Sequence, residues 1–228
     1  MSEIITPSHF KKMGLDVLLV KDSVTPKDID SLKERYLANF RGPERNEVTI
    51  TEECDRRYLD TRFIQTHTGI PFWPLDPRVE DIRIEDIAFG LSNAVRFANQ
   101  GPRYNVAQHS VIVSRHCQER LKGLLHDGSE AYMGDIARMI KQTDEFTGYR
   151  RIESGIQNCI YRWAGLTITE TPDVKRADLA VFSAEVRDLM QPWCGVERLE
   201  EPIKEKIRVW SPRKSEREFL KEYRKLRQ

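Results

Sequence analysis

From Ile84 onward the sequence is a succession of segments in which apolar residues recur every three or four positions, a period that leaves packed helices as almost the only fold. Ile84, Ile87, Ala88, Leu91, Val95 and Ala98 predict a helix over 84–99 that Gly101-Pro102 ends. Val106, Ile112, Val113 and Cys117 carry the pattern over 106–118, and Leu124 and Leu125 carry it over 121–133. Further helices are expected over 148–164, 174–190 and 215–226. The expected fold is all-α, a bundle of five or six core helices, with no internal repeat and no low-complexity tract.

The chain before Ile84 reads differently. Thr25-Pro26 starts an amphipathic helix over 27–40, and a Gly-Pro-bearing break follows over 41–46. Turn signals then cluster over 63–84, at Thr68-Gly69, Ile70-Pro71, Trp73-Pro74 and Asp76-Pro77, and the apolar pieces between them can form a short β-hairpin. At 228 residues one core is expected. The division is 1–61 as an N-terminal extension and 62–228 as the main domain.

Charge and cysteine usage remove several classes of function. Lys+Arg 37 against Asp+Glu 36 leaves a net charge of +1, so no global field draws the chain to a nucleic acid polymer or an anionic membrane. The basic 214–227 segment is interrupted by Glu216, Glu218 and Glu222 and reads as a solvated helix with Phe219, Leu220 and Leu226 toward the core. Cys54, Cys117, Cys159 and Cys194 form no CxxC pair, so neither a zinc ribbon nor a dithiol site is signalled. The apolar run at 17–20 is too short for a secretory leader, and no run approaches the roughly 18 residues of a membrane span. A cytoplasmic protein with a small-molecule substrate is expected.

Chemistry enters with polar residues in apolar stripes. His109 and His116 both align with Val106, Ile112 and Val113; either could be a hydrogen-bonded core histidine. His116 lies seven residues beyond His109, about 10 Å along a helix, too far to share one ion, and is assigned to packing. Leu124-Leu125 is followed directly by His126-Asp127, two ligand-type residues at a helix flank. Asp178 falls in the face formed by Val174, Ala177, Val181, Phe182 and Glu185, where a carboxylate needs a cation or several donors, either a metal or an arginine. Together His109, His126, Asp127 and Asp178 make a mixed nitrogen and oxygen set suited to one divalent ion, Mn²⁺, Co²⁺, Mg²⁺, Fe²⁺, Ni²⁺ or Zn²⁺. Such an ion lowers the pKa of a bound water and clamps developing charge, which is hydrolytic chemistry.

These segments carry a resemblance. Ala107-Gln108-His109-Ser110, then Leu124-Leu125-His126-Asp127-Gly128-Ser129-Glu130-Ala131, then Lys175-Arg176-Ala177-Asp178-Leu179 reproduce, in order, the H…HD…D pattern of HD-domain phosphohydrolases. From about Phe63 to its end the chain resembles the 5′-deoxynucleotidase-like branch known from bacteria and phage. The resemblance implies an HD-domain helical bundle, a divalent metal and release of phosphate from (deoxy)nucleoside 5′-monophosphates by metal-activated water. Glu130 matches the acidic position of the HD-x-x-E extension, where it would orient or deprotonate water, and Asp135 matches a Gly-Asp pair near the leaving group. Arg96-Phe97, thirteen residues ahead of His109, matches a substrate-contacting Arg-aromatic pair, and Lys141 a basic phosphate contact; either charge could equally be a solvated one. The chain departs from its relatives after Gly-Asp, reading Ile136-Ala137-Arg138 where they carry an early proline, and 1–60 matches nothing in the family. The alternatives are a deoxynucleoside triphosphate triphosphohydrolase or stepwise phosphatase on the same ligands, and a non-catalytic nucleotide-sensing or assembly module. A homodimer is a family expectation.

Overall fold

The computed structural model describes residues 62–169, 171–191 and 200–227. The expected 27–40 helix, the 41–46 break, Cys54 and Cys194 lie outside the described residues. The chain divides after Trp73 into two compact units.

In the first unit the expected hairpin is present. Strands β1 (Ile64–Gln65) and β2 (Pro71–Phe72) pair antiparallel, with Ile64 opposite Phe72. Gly69 adopts a positive φ of 86°, which closes the turn, and the Thr66 hydroxyl donates to the Ile70 carbonyl at 2.8 Å. The Phe63 and Trp73 rings lie 5.4 Å apart on the flanks of the hairpin.

Among the described residues, the secondary structure of the second unit is mainly helical. Its elements are α1 (Ile84–Asn93), α2 (Val106–His116), α3 (Arg120–Leu125), α4 (Glu130–Met133), α5 (Arg138–Lys141), α6 (Thr147–Trp163), α7 (Pro172–Leu189) and α8 (Pro212–Leu226). Helix α2 is the centre. Every residue from Val106 to Ser114 is buried, because α1, α3, α7 and α8 pack around it, so its polar residues are interior whichever way they point. The Asn105 side chain caps it by accepting from the Gln108 amide at 3.0 Å. On its α7 side the core is built from Tyr104, Ile112, Val113, Val174, Ala177, Val181 and Ala184. Prolines at the first turns of α7 and α8 start both helices.

Two helices are shorter than the periodicity predicts. The first stops at Asn93 rather than 99. Val95 pairs with Asn105 in an isolated antiparallel bridge, the Arg96 amide donates to the Tyr104 carbonyl at 2.9 Å and the Val106 amide to Ala94 at 2.9 Å. These bonds satisfy the same backbone groups that a longer helix would have used, and Phe97, Ala98 and Asn99 turn the chain with φ of 59°, 49° and 62°. The expected 121–133 helix is interrupted at His126–Ser129. There the Gly128, Glu130 and Ala131 amides each donate to a carbonyl three residues back, which tightens the chain into a turn. Gly128 permits this turn against α6, since a Cβ there would stand 3.1 Å from Ile160 Cδ1.

Two side chains also depart from expectation. His116, assigned to packing, is exposed at the end of α2, 3.4 Å from Glu205. Glu222, expected on the solvated face of α8, is buried and paired with Arg120 and Arg115. Among the described residues no helix is long and apolar enough to cross a membrane.

Candidate metal centre

The interior of α2 places His109 where it has no solvent exposure at all. Its Nδ1 is 2.5 Å from Glu185 Oε1 on α7, a carboxylate that is equally enclosed. His126, the C-cap of α3, has its Nδ1 2.9 Å from the Gly123 carbonyl, three residues back. Each imidazole therefore gives its Nδ1 proton to a fixed acceptor, and the Nε2 edges are turned toward one another, the ring centroids 5.2 Å apart.

Two aspartates close on those edges. Asp127 Oδ2 lies 3.7 Å from His109 Nε2 and 3.2 Å from His126 Nε2. Asp178 Oδ1 lies 3.2 Å and 3.9 Å from the same two nitrogens. The tight turn after α3 directs Asp127 inward, and Asp178 projects from α7 beside the buried Val174 and Val181. The structure thus brings all four sequence-derived ligand candidates together, from α2, the 126–129 turn and α7.

The donor set fits a divalent cation. Both Nε2 atoms are buried and make no well-aligned hydrogen bond, although carboxylate oxygens surround them. A neutral imidazole with Nδ1–H tied to an acceptor and a bare Nε2 is the form that ligates metal. His109, His126 and Asp127 have ligand atoms within 4.8 Å of one another, and these residues could hold an ion. Without an ion the carboxylates are balanced by Arg96, Lys175 and protonated imidazoles. Against the opposing effect of burial, Asp127, Asp178 and the Gly123 carbonyl push the His126 imidazole up to about 9. Burial notwithstanding, the two imidazoles hold Asp127 and Asp178 below the usual carboxylate range.

Around this cluster lie the other candidates. Glu130 opens α4 and is not on one helix with His126, as the continuous periodicity implied; the turn brings it in instead. The residue is 6% exposed, and its carboxyl is pushed up to about 8, by burial first and then by Asp127 and Asp135, with Lys141 pulling the other way. Lys141 Nζ bridges Glu130 at 3.1 Å and Glu153 at 2.9 Å, so its charge is engaged in holding Glu130. Asp135 follows Gly134, whose φ of 78° breaks the chain after α4, and burial raises its pKa above the usual range. Arg96 reaches inward rather than outward: its Nε is 3.2 Å from Glu185 and its guanidinium 3.6 Å from Asp127. Phe97 packs against the core, 6.2 Å from the Phe182 ring.

Two residues at the site carry no role in the sequence reading. Glu185 joins His109 to Arg96, and its signal was present, since it stands seven residues after Asp178 in the same apolar stripe. Gln157 of α6 spans the ligand turn: its Nε2 donates to Leu125 O at 2.7 Å and its Oε1 accepts from the Ser129 amide at 3.0 Å. Nothing in the sequence marks a glutamine in α6 as the brace of a turn some 30 residues earlier.

No family model matches the chain. It is 38% identical over 130 residues to the uncharacterized protein YfdR of Escherichia coli K12, an alignment that covers 56% of this chain and 72% of that protein. It is 31% identical over 125 residues to an uncharacterized protein of Rhodobacter capsulatus, covering 50% of this chain and 63% of that protein's length.

Proposed function

We propose, from the premise that this chain belongs to the same family as Escherichia coli YfdR, that it is a metal-dependent phosphohydrolase of the HD-domain type acting on (deoxy)nucleoside 5′-monophosphates. The observation that carries the reading is the pair of buried, unbonded Nε2 atoms of His109 and His126, with the carboxylates of Asp127 and Asp178 against them. The four side chains would hold one divalent ion. When bound, such an ion supplies Lewis acidity to a phosphoryl oxygen and makes water more acidic.

The chain's own residues supply the rest. Glu185 and the Gly123 carbonyl fix the imidazole tautomers. Glu130, with one carboxylate oxygen enclosed and unbonded and a pKa near neutrality, is equipped to take a proton from water and give it up again. Asp135, also raised, stands within electrostatic reach of Glu130 and can protonate a departing alkoxide. Arg96 balances Asp127 and Glu185, so its contribution is to hold the ligand cluster's charge in place.

The test is a metal-by-nucleotide screen of phosphate release with Mn²⁺, Co²⁺ and Mg²⁺, on the wild type and Asp127→Ala. Phosphate release from monophosphates by the wild type and its loss in the variant are expected. No release from any nucleotide with any metal would overturn the proposal, and triphosphate as the product would replace it with the triphosphohydrolase reading.

A further inference from the structure

A cavity of about 360 Å³ opens beside the metal-site residues, and its walls are not those that the Arg96-Phe97 expectation requires. Asp127, Asp178 and Glu130 line it together with residues of α6 and of the segment that leads into α7. Neither Arg96 nor Phe97 lines it. Both are committed elsewhere, Arg96 to Glu185 and Asp127, and Phe97 to the core beside Phe182.

Two of the polar side chains that line it, Thr171 and Asn158, make no hydrogen bond among the described residues. The Thr171 hydroxyl is enclosed and has no hydrogen-bond partner, which in a closed interior would cost stability and in a ligand site is a waiting contact. The Asn158 side-chain amide, which also lines the cavity, makes no hydrogen bond among the described residues, and it offers both a donor and an acceptor. Tyr161 adds a largely buried aromatic surface, and Lys175 brings positive charge to within 3.5 Å of Asp178. The volume is near the lower bound of the roughly 300–1,000 Å³ usual for small-molecule sites, which suits one phosphate and a nucleoside better than a triphosphate.

We infer that the nucleoside of the substrate lies in this α6–α7 cavity, with its base edge read by Asn158 and Thr171, and not over Arg96-Phe97. The inference rests on the nucleotide reading above. A phosphate at Asp127 and Asp178 leaves the sugar and base to extend along α6, past Glu130 and Gln157, to the unpaired amide and hydroxyl. A base edge carries matched donors and acceptors at its ring nitrogens and exocyclic groups, which is the complement of one amide and one hydroxyl.

Position can be read without turnover. The full chain with Mn²⁺ is mixed with 8-azidoadenosine 5′-monophosphate, illuminated at once and digested for mass spectrometry, with and without excess deoxyadenosine 5′-monophosphate. An adduct within 154–171 that the competitor removes is expected. Binding of the phosphonate analogue of adenosine 5′-monophosphate in which CH₂ replaces the 5′ ester oxygen, so that no P–O ester bond can be cleaved, followed by equilibrium dialysis, should weaken about 5–10-fold in Asn158→Leu and in Thr171→Val, the effect of one lost hydrogen bond to a bound ligand. An adduct on Arg96-Phe97, no competable adduct anywhere, or unchanged binding in both variants overturns the inference. Phosphate release is scored separately: release with labelling at Phe97 removes the cavity assignment alone, and labelling at α6 without release removes the hydrolase reading alone.

Discussion

His109 Nδ1 and Glu185 Oε1 are 2.5 Å apart in the interior of the fold, and neither side chain has any solvent exposure. The pair sets which imidazole edge faces the aspartates. Glu185 also receives the Arg96 Nε at 3.2 Å, so one carboxylate orients the His109 imidazole and neutralises a buried guanidinium.

Replacing Glu185 should therefore separate two effects. In Glu185→Gln the amide oxygen can still accept from His109, so the protein should fold and bind Mn²⁺ about 10–100-fold more weakly, the usual cost of losing a partner behind a metal-ligating histidine. Glu185→Ala also strips Arg96 of its nearest counter-charge and should cost about 3–5 kcal/mol of stability, as for other broken buried pairs. Isothermal titration with Mn²⁺ and urea denaturation measure the two. Wild-type metal affinity in both variants would remove Glu185 from the site.

Metal addition should stabilise the whole helical unit, because the ligands come from three places in the chain that unfolding separates. At a hundredfold excess over Kd the gain is about 2.7 kcal/mol, several degrees in Tm. Chelation should reverse it, and Asp178→Ala should abolish it. Affinity should also rise with pH up to about 9, because His126 must release the proton that its neighbouring carboxylates favour before Nε2 can ligate. A Tm indifferent to Mn²⁺, Co²⁺ and Mg²⁺ across that range would leave the cluster as an ion-paired core.

Two of the candidate ligands were legible because each placed a costly polar group in an otherwise apolar period, and His126-Asp127 was legible only through its order in the H…HD…D pattern. His109 between Val106 and Ile112, and Asp178 between Ala177 and Val181, stand where only a partner could make them tolerable, and the three segments meet as that logic requires. Periodicity failed where backbone hydrogen bonds to distant residues outcompeted helix continuation. Ala94 and Arg96 bond to residues 104–106, and the turn after α3 is bonded at Leu125 and Ser129 by Gln157, which lies in a later helix. Local pattern holds no record of either partner. The same limit explains Arg96: its charge is visible in the sequence, and its inward partners, Asp127 and Glu185, come from distant segments.

Glu130 gives a prediction of opposite sign for stability and activity. Burial and the neighbouring carboxylates raise its pKa in the folded chain to about 8, from about 4.5 unfolded, so between those values the folded state holds a proton that the unfolded state has lost. Stability from this group is present below pH 4.5 and declines as pH rises toward 8. In chelator, Glu130→Gln should match the wild type near pH 5, be more stable near pH 8, and lack phosphohydrolase activity at either. A variant less stable than the wild type at pH 8 would show that the Lys141 pair outweighs burial.

Gly90 controls where Glu130 sits, through backbone alone. A Cβ at Gly90 on α1 would fall 2.5 Å from the Ala131 carbonyl oxygen and 2.8 Å from Ala131 Cα, atoms that no side-chain rotation can move. Ala131 follows Glu130 in the single turn of α4, so Gly90→Ala must push that turn away from α1 and carry the Glu130 carboxylate with it. Overpacking of this kind costs about 1–3 kcal/mol. The informative comparison is with metal binding: His109, His126, Asp127 and Asp178 are held by α2, α7 and the Gln157 brace, so Mn²⁺ affinity should stay within about threefold of wild type, under 1 kcal/mol. Turnover should fall by at least tenfold in the same variant, because a displacement of about 1 Å is enough to misplace a proton acceptor. Equal losses of metal affinity and turnover would mean that α4 and the ligand turn move as one body, and the separate role of Glu130 would have to be withdrawn.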